Sequence, residues 1–162
     1  LKIYKSLPIL MILLFSGCGV YSFSGSTLPS HIKTVAVPLF VDHTAEFGID
    51  QKITDGIITA ITQDNSLKIA GQRQADALIQ GTILRIIDSA DAYDRNETAS
   101  DFRLTIEVKV IFEDVKKRKN LWEETWSQWG RYDQSGTSRD DAIAEAVDKL
   151  AAEIINRTVS GW

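Results

Sequence analysis

The 162-residue chain has one cysteine, three prolines, two histidines and one methionine. A single cysteine excludes a disulfide framework and a cysteine-rich zinc module. Positive charge is also scarce. Eighteen Lys and Arg stand against 22 Asp and Glu, a formal net charge of −4, whereas a nucleic-acid surface needs the opposite balance. No apolar run is long enough to cross a bilayer: the longest, Leu7 to Phe15, is about half of the ~20 residues a spanning helix needs, and it contains Pro8. What is present is the balance of a folded domain, 44% hydrophobic and 25% charged, in a length that suits one domain and not two.

The N-terminus reads as an address. Lys2 and Lys5 precede the apolar run, and Ser16, Gly17 and Cys18 follow it, the order of a secretory signal peptide. The ending Leu14-Phe15-Ser16-Gly17-Cys18 resembles the lipobox of bacterial lipoproteins, in which the cysteine thiol receives a diacylglycerol before cleavage. Phe15 departs from the usual Leu. Lipidation, by diacylglycerol and a palmitate-like acyl chain on Cys18, accounts for a thiol that otherwise has no partner in an exported protein. The expected organisation is a signal peptide over 1–17, a lipidated Cys18 with a tether over 18–30, and a single domain over 31–162. Each buried CH2 contributes about 0.8 kcal/mol, so two or more chains hold a protein on a bilayer without a spanning segment. Residue 19 is Gly, not the Asp that retains lipoproteins in the inner membrane of enteric bacteria, and that resemblance implies the outer membrane. The stretch Gly19 to Ser30 is rich in Gly and Ser, and its twelve residues reach at most about 40 Å.

The body alternates strand and helix patterns. His31 to Phe40 reads as a strand in which Pro38 marks an edge or a bulge. Glu46 to Asp64 reads as a helix, with Ile49, Ile53, Ile57 and Ile61 on one face. Leu67 to Ala70 is a short strand, and Ala77 to Ile87 a longer one with a bulge or close contact at Gly81. Phe102 to Phe112 alternates strictly, with Leu104, Ile106, Val108 and Val110 on one face and Arg103, Thr105, Glu107 and Lys109 on the other. Such a strand has one buried and one wet face, the habit of antiparallel sheets. Trp122 to Tyr132 returns beside it. A last helix runs from Arg139 to Val159, with Ser138 as N-cap and Asp141 at the capping-box position. The fold expected is α+β, two layers, with two amphipathic helices packed on one face of a mostly antiparallel four- to five-stranded sheet.

A search for chemistry finds little. His31 and His43 have no spaced ligand set and read as surface or turn residues. No nucleophile elbow, phosphate loop or dinucleotide glycine pattern occurs. Asp88, Asp91, Asp94 and Glu97 lack the spacing of a calcium loop and read as a solvated acidic loop. Two features remain. Lys116, Lys117, Arg118 and Lys119 concentrate cations on a hairpin tip that suits an anionic headgroup, the alternative being a solvated turn that discourages strand aggregation. Trp122 and Trp126 project from one face of their strand and Trp129 from the other, so an outward ring is left for a protein or lipid contact, unless both faces are packed as core.

Gly17 to Gly25, His31 to Phe40, Ala75 to Ile83, Phe112 to Val115 and Leu121-Trp122-Glu123 together resemble the lipopolysaccharide-assembly lipoprotein E family. The resemblance spans nearly all of the chain after the signal. It implies a non-catalytic lipoprotein without a cofactor, seated on the periplasmic side or in the lumen of a large outer-membrane β-barrel. There it would act as plug and assembly factor and help deliver lipopolysaccharide to the outer leaflet. The partners so implied are the barrel, lipopolysaccharide and the membrane through its anchor, and the acidic charge balance speaks against nucleic acid. A scaffold lipoprotein of another envelope secretion complex is the alternative, since such modules share the strand-helix opening.

Overall fold

Leu104, Ile106, Val108, Val110 and Phe112 lie fully buried on one face of the strand Ala99–Asp114, as their alternation requires. Around it a computed structural model describes residues 28–93 and 99–160. The lipobox-like stretch and the tether as far as Thr27, and Asp94 and Glu97, lie outside the described residues. In chain order the elements are β1 (Thr34–Ala36), β2 (Val41–Asp42), α1 (Ile49–Asp64), β3 (Lys68–Ile69), β4 (Ala77–Tyr93), β5 (Ala99–Asp114), β6 (Lys119–Asp133) and α2 (Arg139–Val159). The sheet order is β3-β1-β4-β5-β6, with β2 beside β4.

The sheet therefore has six strands and is mixed, not mostly antiparallel with four or five. β4, β5 and β6 form an antiparallel meander, while β1 runs parallel to β3 and β4, and β2 runs parallel to β4. Parallel neighbours need a crossover, which α1 supplies between β1 and β3. A strand of two residues has no period to read, which hid β2. Pro38 divides the expected first strand: Ala36 pairs with Leu78 and Val41 with Thr82, so five steps on one strand match four on the other. The detour turns Phe40 inward, where its ring lies so close to Gly81 that any Cβ there would overlap it. Gly81 is thus a close contact, and the bulge falls later, between Ile83 and Arg85.

Both helices cover the same sheet face. Ile49, Ile53, Ile57 and Ile61 of α1 are buried against it, each contributing about 2 kcal/mol of transfer free energy. This packing stabilises α1, because a helix of its length is marginal alone. It begins at Ile49 rather than Glu46, because Thr44 N–H donates to Asp42 Oδ1 at 2.7 Å and Glu46 N–H to Thr44 Oγ1 at 3.2 Å, holding a turn instead. Helix α2 starts on the expected capping box of Ser138 and Asp141. It buries Ile143, Val147, Leu150 and Ile154. It sits so near β6 at Gly130 that a side chain there would meet the Ala142 carbonyl.

Asp88 and Asp91 are not in a solvated loop. β4 continues to Tyr93, and both carboxylates are taken by cations of neighbouring elements. Among the described residues no helix is long and apolar enough to cross a membrane.

Candidate functional site

The basic hairpin closes β5 onto β6, and its base is built on a buried charge. Asp114 is fully buried. Its Oδ1 accepts the Lys117 N–H at 3.0 Å and its Oδ2 contacts His31 Nε2 at 2.6 Å. Burial alone would raise this carboxyl, but the Lys117 N–H and the His31 contact outweigh it and hold it below the usual carboxylate range. Arg118 completes the turn at φ 51°, a left-handed conformation that favours glycine. His31 is accordingly no ordinary surface residue. Its contact pins the start of the folded chain to the hairpin base, across 83 positions of sequence.

Asp76 forms a second anchor beside it. Its Oδ2 accepts from Lys33 N–H, Thr34 N–H and the Thr34 hydroxyl, and its Oδ1 takes the Lys116 ammonium at 2.6 Å. The Lys116 contact, then the Lys33 and Thr34 bonds, keep this carboxyl far below its ordinary value. Of the four cations proposed for the tip, Lys116 is thus held inside the fold's own network. Lys117, Arg118 and Lys119 are exposed and make no ion pair among the described residues.

The structure separates the three tryptophans. Trp122 and Trp126 lie on the helix-covered face and Trp129 on the open one. Trp122 is only 5% exposed and tilts against Phe112 at 5.8 Å between ring centroids, so it packs as core and offers no partner surface. Trp126 is half-buried at a shallow recess bounded by Glu153, Asn156, Arg157 and Ser160. Trp129 is clamped by the chain itself: Arg103, Arg131 and Lys149 lie 4.5, 5.3 and 4.0 Å from its ring centroid. Lys149 also donates to the Trp129 carbonyl at 2.9 Å, closing that part of the β6 edge.

Sequence reasoning missed a further group at the opposite end of the domain. Arg139, the first residue of α2, forks onto Glu46 at 2.8 and 2.9 Å and reaches Asp88 at 3.0 Å, and Asp88 also accepts the Tyr132 hydroxyl at 3.0 Å. The guanidinium joins three separate segments and α2 into one knot. Burial, reinforced by Asp88, raises the Tyr132 hydroxyl above its usual value. No local spacing could have signalled partners 51 and 93 positions away.

The open sheet face carries a groove of about 290 Å³ bounded by Pro38, Leu39, Val41, Gln80, Thr82 and Lys109. Its lining holds no carboxylate, imidazole or thiol, the groups that nucleophilic and acid–base chemistry use most. Among the described residues no cluster of His, Cys, Asp and Glu is arranged to hold a metal ion.

The fold is shared with solved structures of low identity. The hypothetical protein CT253 from Chlamydia trachomatis superposes with a TM-score of 0.60 at 10% identity, over 78% of this chain and 95% of that one. The uncharacterized lipoprotein B from Nitrosomonas europaea gives 0.53 at 12% identity, over 83% and 85%. The PelC dodecamer from Paraburkholderia phytofirmans gives 0.52 at 15% identity, over 76% and 89%. At such identities the likeness speaks to the fold alone. No curated protein matches the chain. The family model that does match, LptE, Lipopolysaccharide-assembly, covers residues 32–158, and the chain belongs to that lipopolysaccharide-assembly family.

Proposed function

We propose that the protein is a non-catalytic outer-membrane lipoprotein, anchored through diacylglycerol and an acyl chain on Cys18. In this reading it plugs and helps assemble the β-barrel lipopolysaccharide translocon, and assists delivery of lipopolysaccharide to the outer leaflet. Its domain stands on the periplasmic side or within the barrel lumen. The single observation that carries the reading is the family match, which runs through nearly the whole folded body. One feature of the site agrees with it: the tip cations Lys117, Arg118 and Lys119 are exposed and make no ion pair among the described residues, which leaves them open to lipid phosphates.

A large barrel co-purifying with the C-terminally tagged protein from membranes, at one copy each, is the expected result. Recovery of unrelated partners alone would reject it. One second reading is a scaffold of another envelope complex, since the fold is shared with a protein solved as a dodecamer. A complex containing many copies of this chain and no barrel would decide for that alternative.

A further inference from the structure

The ion pairs divide the molecule unevenly. Fifteen Lys and Arg fall in the described segments, and nine of them are in ion pairs. The six that are not are Lys33, Lys68, Arg73, Lys117, Arg118 and Lys119, all of them exposed. They are scattered in sequence but gathered in space. Lys68 N–H donates to the Lys33 carbonyl at 3.0 Å, and Lys33 N–H donates to Asp76. Arg73 sits in the turn leading to Asp76, and the hairpin tip reaches Asp76 through Lys116. With Lys116, seven cations stand at this end against five carboxylates, Asp64, Asp76, Glu113, Asp114 and Glu123, in a chain whose net charge is −4.

The same end receives the chain from Cys18. Leu28 packs on the core, Ile32 N–H donates to the Pro29 carbonyl at 2.8 Å, and His31 holds the hairpin base. We propose that this end is a docking surface for the anionic phospholipid headgroups of the leaflet that holds the Cys18 anchor, and that Lys33, Lys68 and Arg73 share the contact with Lys117, Arg118 and Lys119. The proposal rests on the lipid-anchor reading above. The tether, at most about 40 Å long, keeps this end near the anchor's own headgroups. The opposite leaflet lies across a bilayer about 40–45 Å thick. The anchor supplies attachment, and the cations set which way the domain faces. Each cation near an anionic surface is worth about fivefold in attachment.

The test uses the mature lipidated protein with Ser66→Cys, beside Lys68, as the labelled site, and Ser135→Cys at the other end as a control. Each is reconstituted in vesicles of phosphatidylcholine, or of phosphatidylcholine with a third phosphatidylglycerol. A quencher confined to the headgroups should reach the Ser66→Cys label only on the anionic vesicles, and the control label on neither. The contact should vanish at roughly 0.5 M salt, where the Debye length is about 4 Å. Combining Lys33→Gln, Lys68→Gln and Arg73→Gln should lower the ratio of docked to undocked protein about a hundredfold. Equal quenching on neutral vesicles, or a triple variant that docks undiminished, would overturn the proposal. So would contact that appears only when lipopolysaccharide replaces phosphatidylglycerol. Failure of the protein to float with vesicles of either kind would overturn the anchor reading and this proposal together, and floating without docking overturns the proposal alone.

Discussion

The two ends of the domain use charge in opposite ways. At the far end Arg139 is satisfied by Glu46 and Asp88, and Lys52 by Asp140. On the adjoining open face Arg103 and Arg131, directly opposite across two strands, share Asp91. Those pairs tie the starts of α1 and α2 and the loop at Glu46 to the far ends of β4, β5 and β6. At the N-terminal end of the described domain two carboxylates, Asp76 and Asp114, satisfy backbone groups, a histidine and one lysine, and six cations make no ion pair among the described residues. The contrast teaches that a count of basic residues says little until their partners are known. A cation spent on a carboxylate contributes to the fold, and one left in water is available to an anion.

Removing the knot at the far end should have the largest effect. Arg139→Met strands Glu46 and Asp88 beside each other and is expected to lower stability by about 2–3 kcal/mol in urea titrations, with Arg139→Lys recovering part of the loss. An unchanged midpoint would show that the ion pairs there are surface ornament, and the contrast between the ends would lose its structural half.

Asp114→Asn probes the N-terminal end of the described domain and should cost about 1–2 kcal/mol at neutral pH. The sign with pH is fixed by the lowered carboxyl. Because the folded value lies below the unfolded one near 3.9, the stabilisation is present above that unfolded value and is lost as pH falls through the folded one. The gap between parent and variant should therefore hold at pH 7 and close in acid below about pH 4. A gap that stays open once the carboxylates are protonated would contradict the Asp114 geometry.

The smallest effect sharpens the comparison most. Arg118→Gly relieves the left-handed turn and should raise stability by about 0.5–1 kcal/mol, the strain removed exceeding the added chain entropy. The same change removes one uncommitted cation, and docking to anionic vesicles should weaken about fivefold. Stability and lipid contact moving in opposite directions is a result that a purely structural tip does not produce.

Much of the framework was legible locally. The four-residue spacing of Ile49 to Ile61 announced the buried face of α1, and Ser138 with Asp141 announced the start of α2. The alternation of Phe102 to Phe112 foretold which face would be dry, and the two-residue period of the next strand placed Trp129 opposite Trp122 and Trp126. The parallel insertion of β1 between β3 and β4 was not legible, because register between distant strands leaves no period in either. Nor was the site. Lys116 looked like its three neighbours until Asp76 claimed it, and Lys33, Lys68 and Arg73 had no reason to be read with them.

By itself the amino-acid order determined both helices, the longer strands, their buried faces, the helix cap and the lack of a disulfide within the chain, since each depends on residue types or on residues within a few positions of one another. Only the tertiary structure decided the six-stranded mixed sheet, the two charged knots and the gathering of unpaired cations where the chain enters. Those depend on which side chains meet across separations such as the 83 positions between His31 and Asp114, and a contact of that kind is written in the packing, not in either residue's neighbourhood.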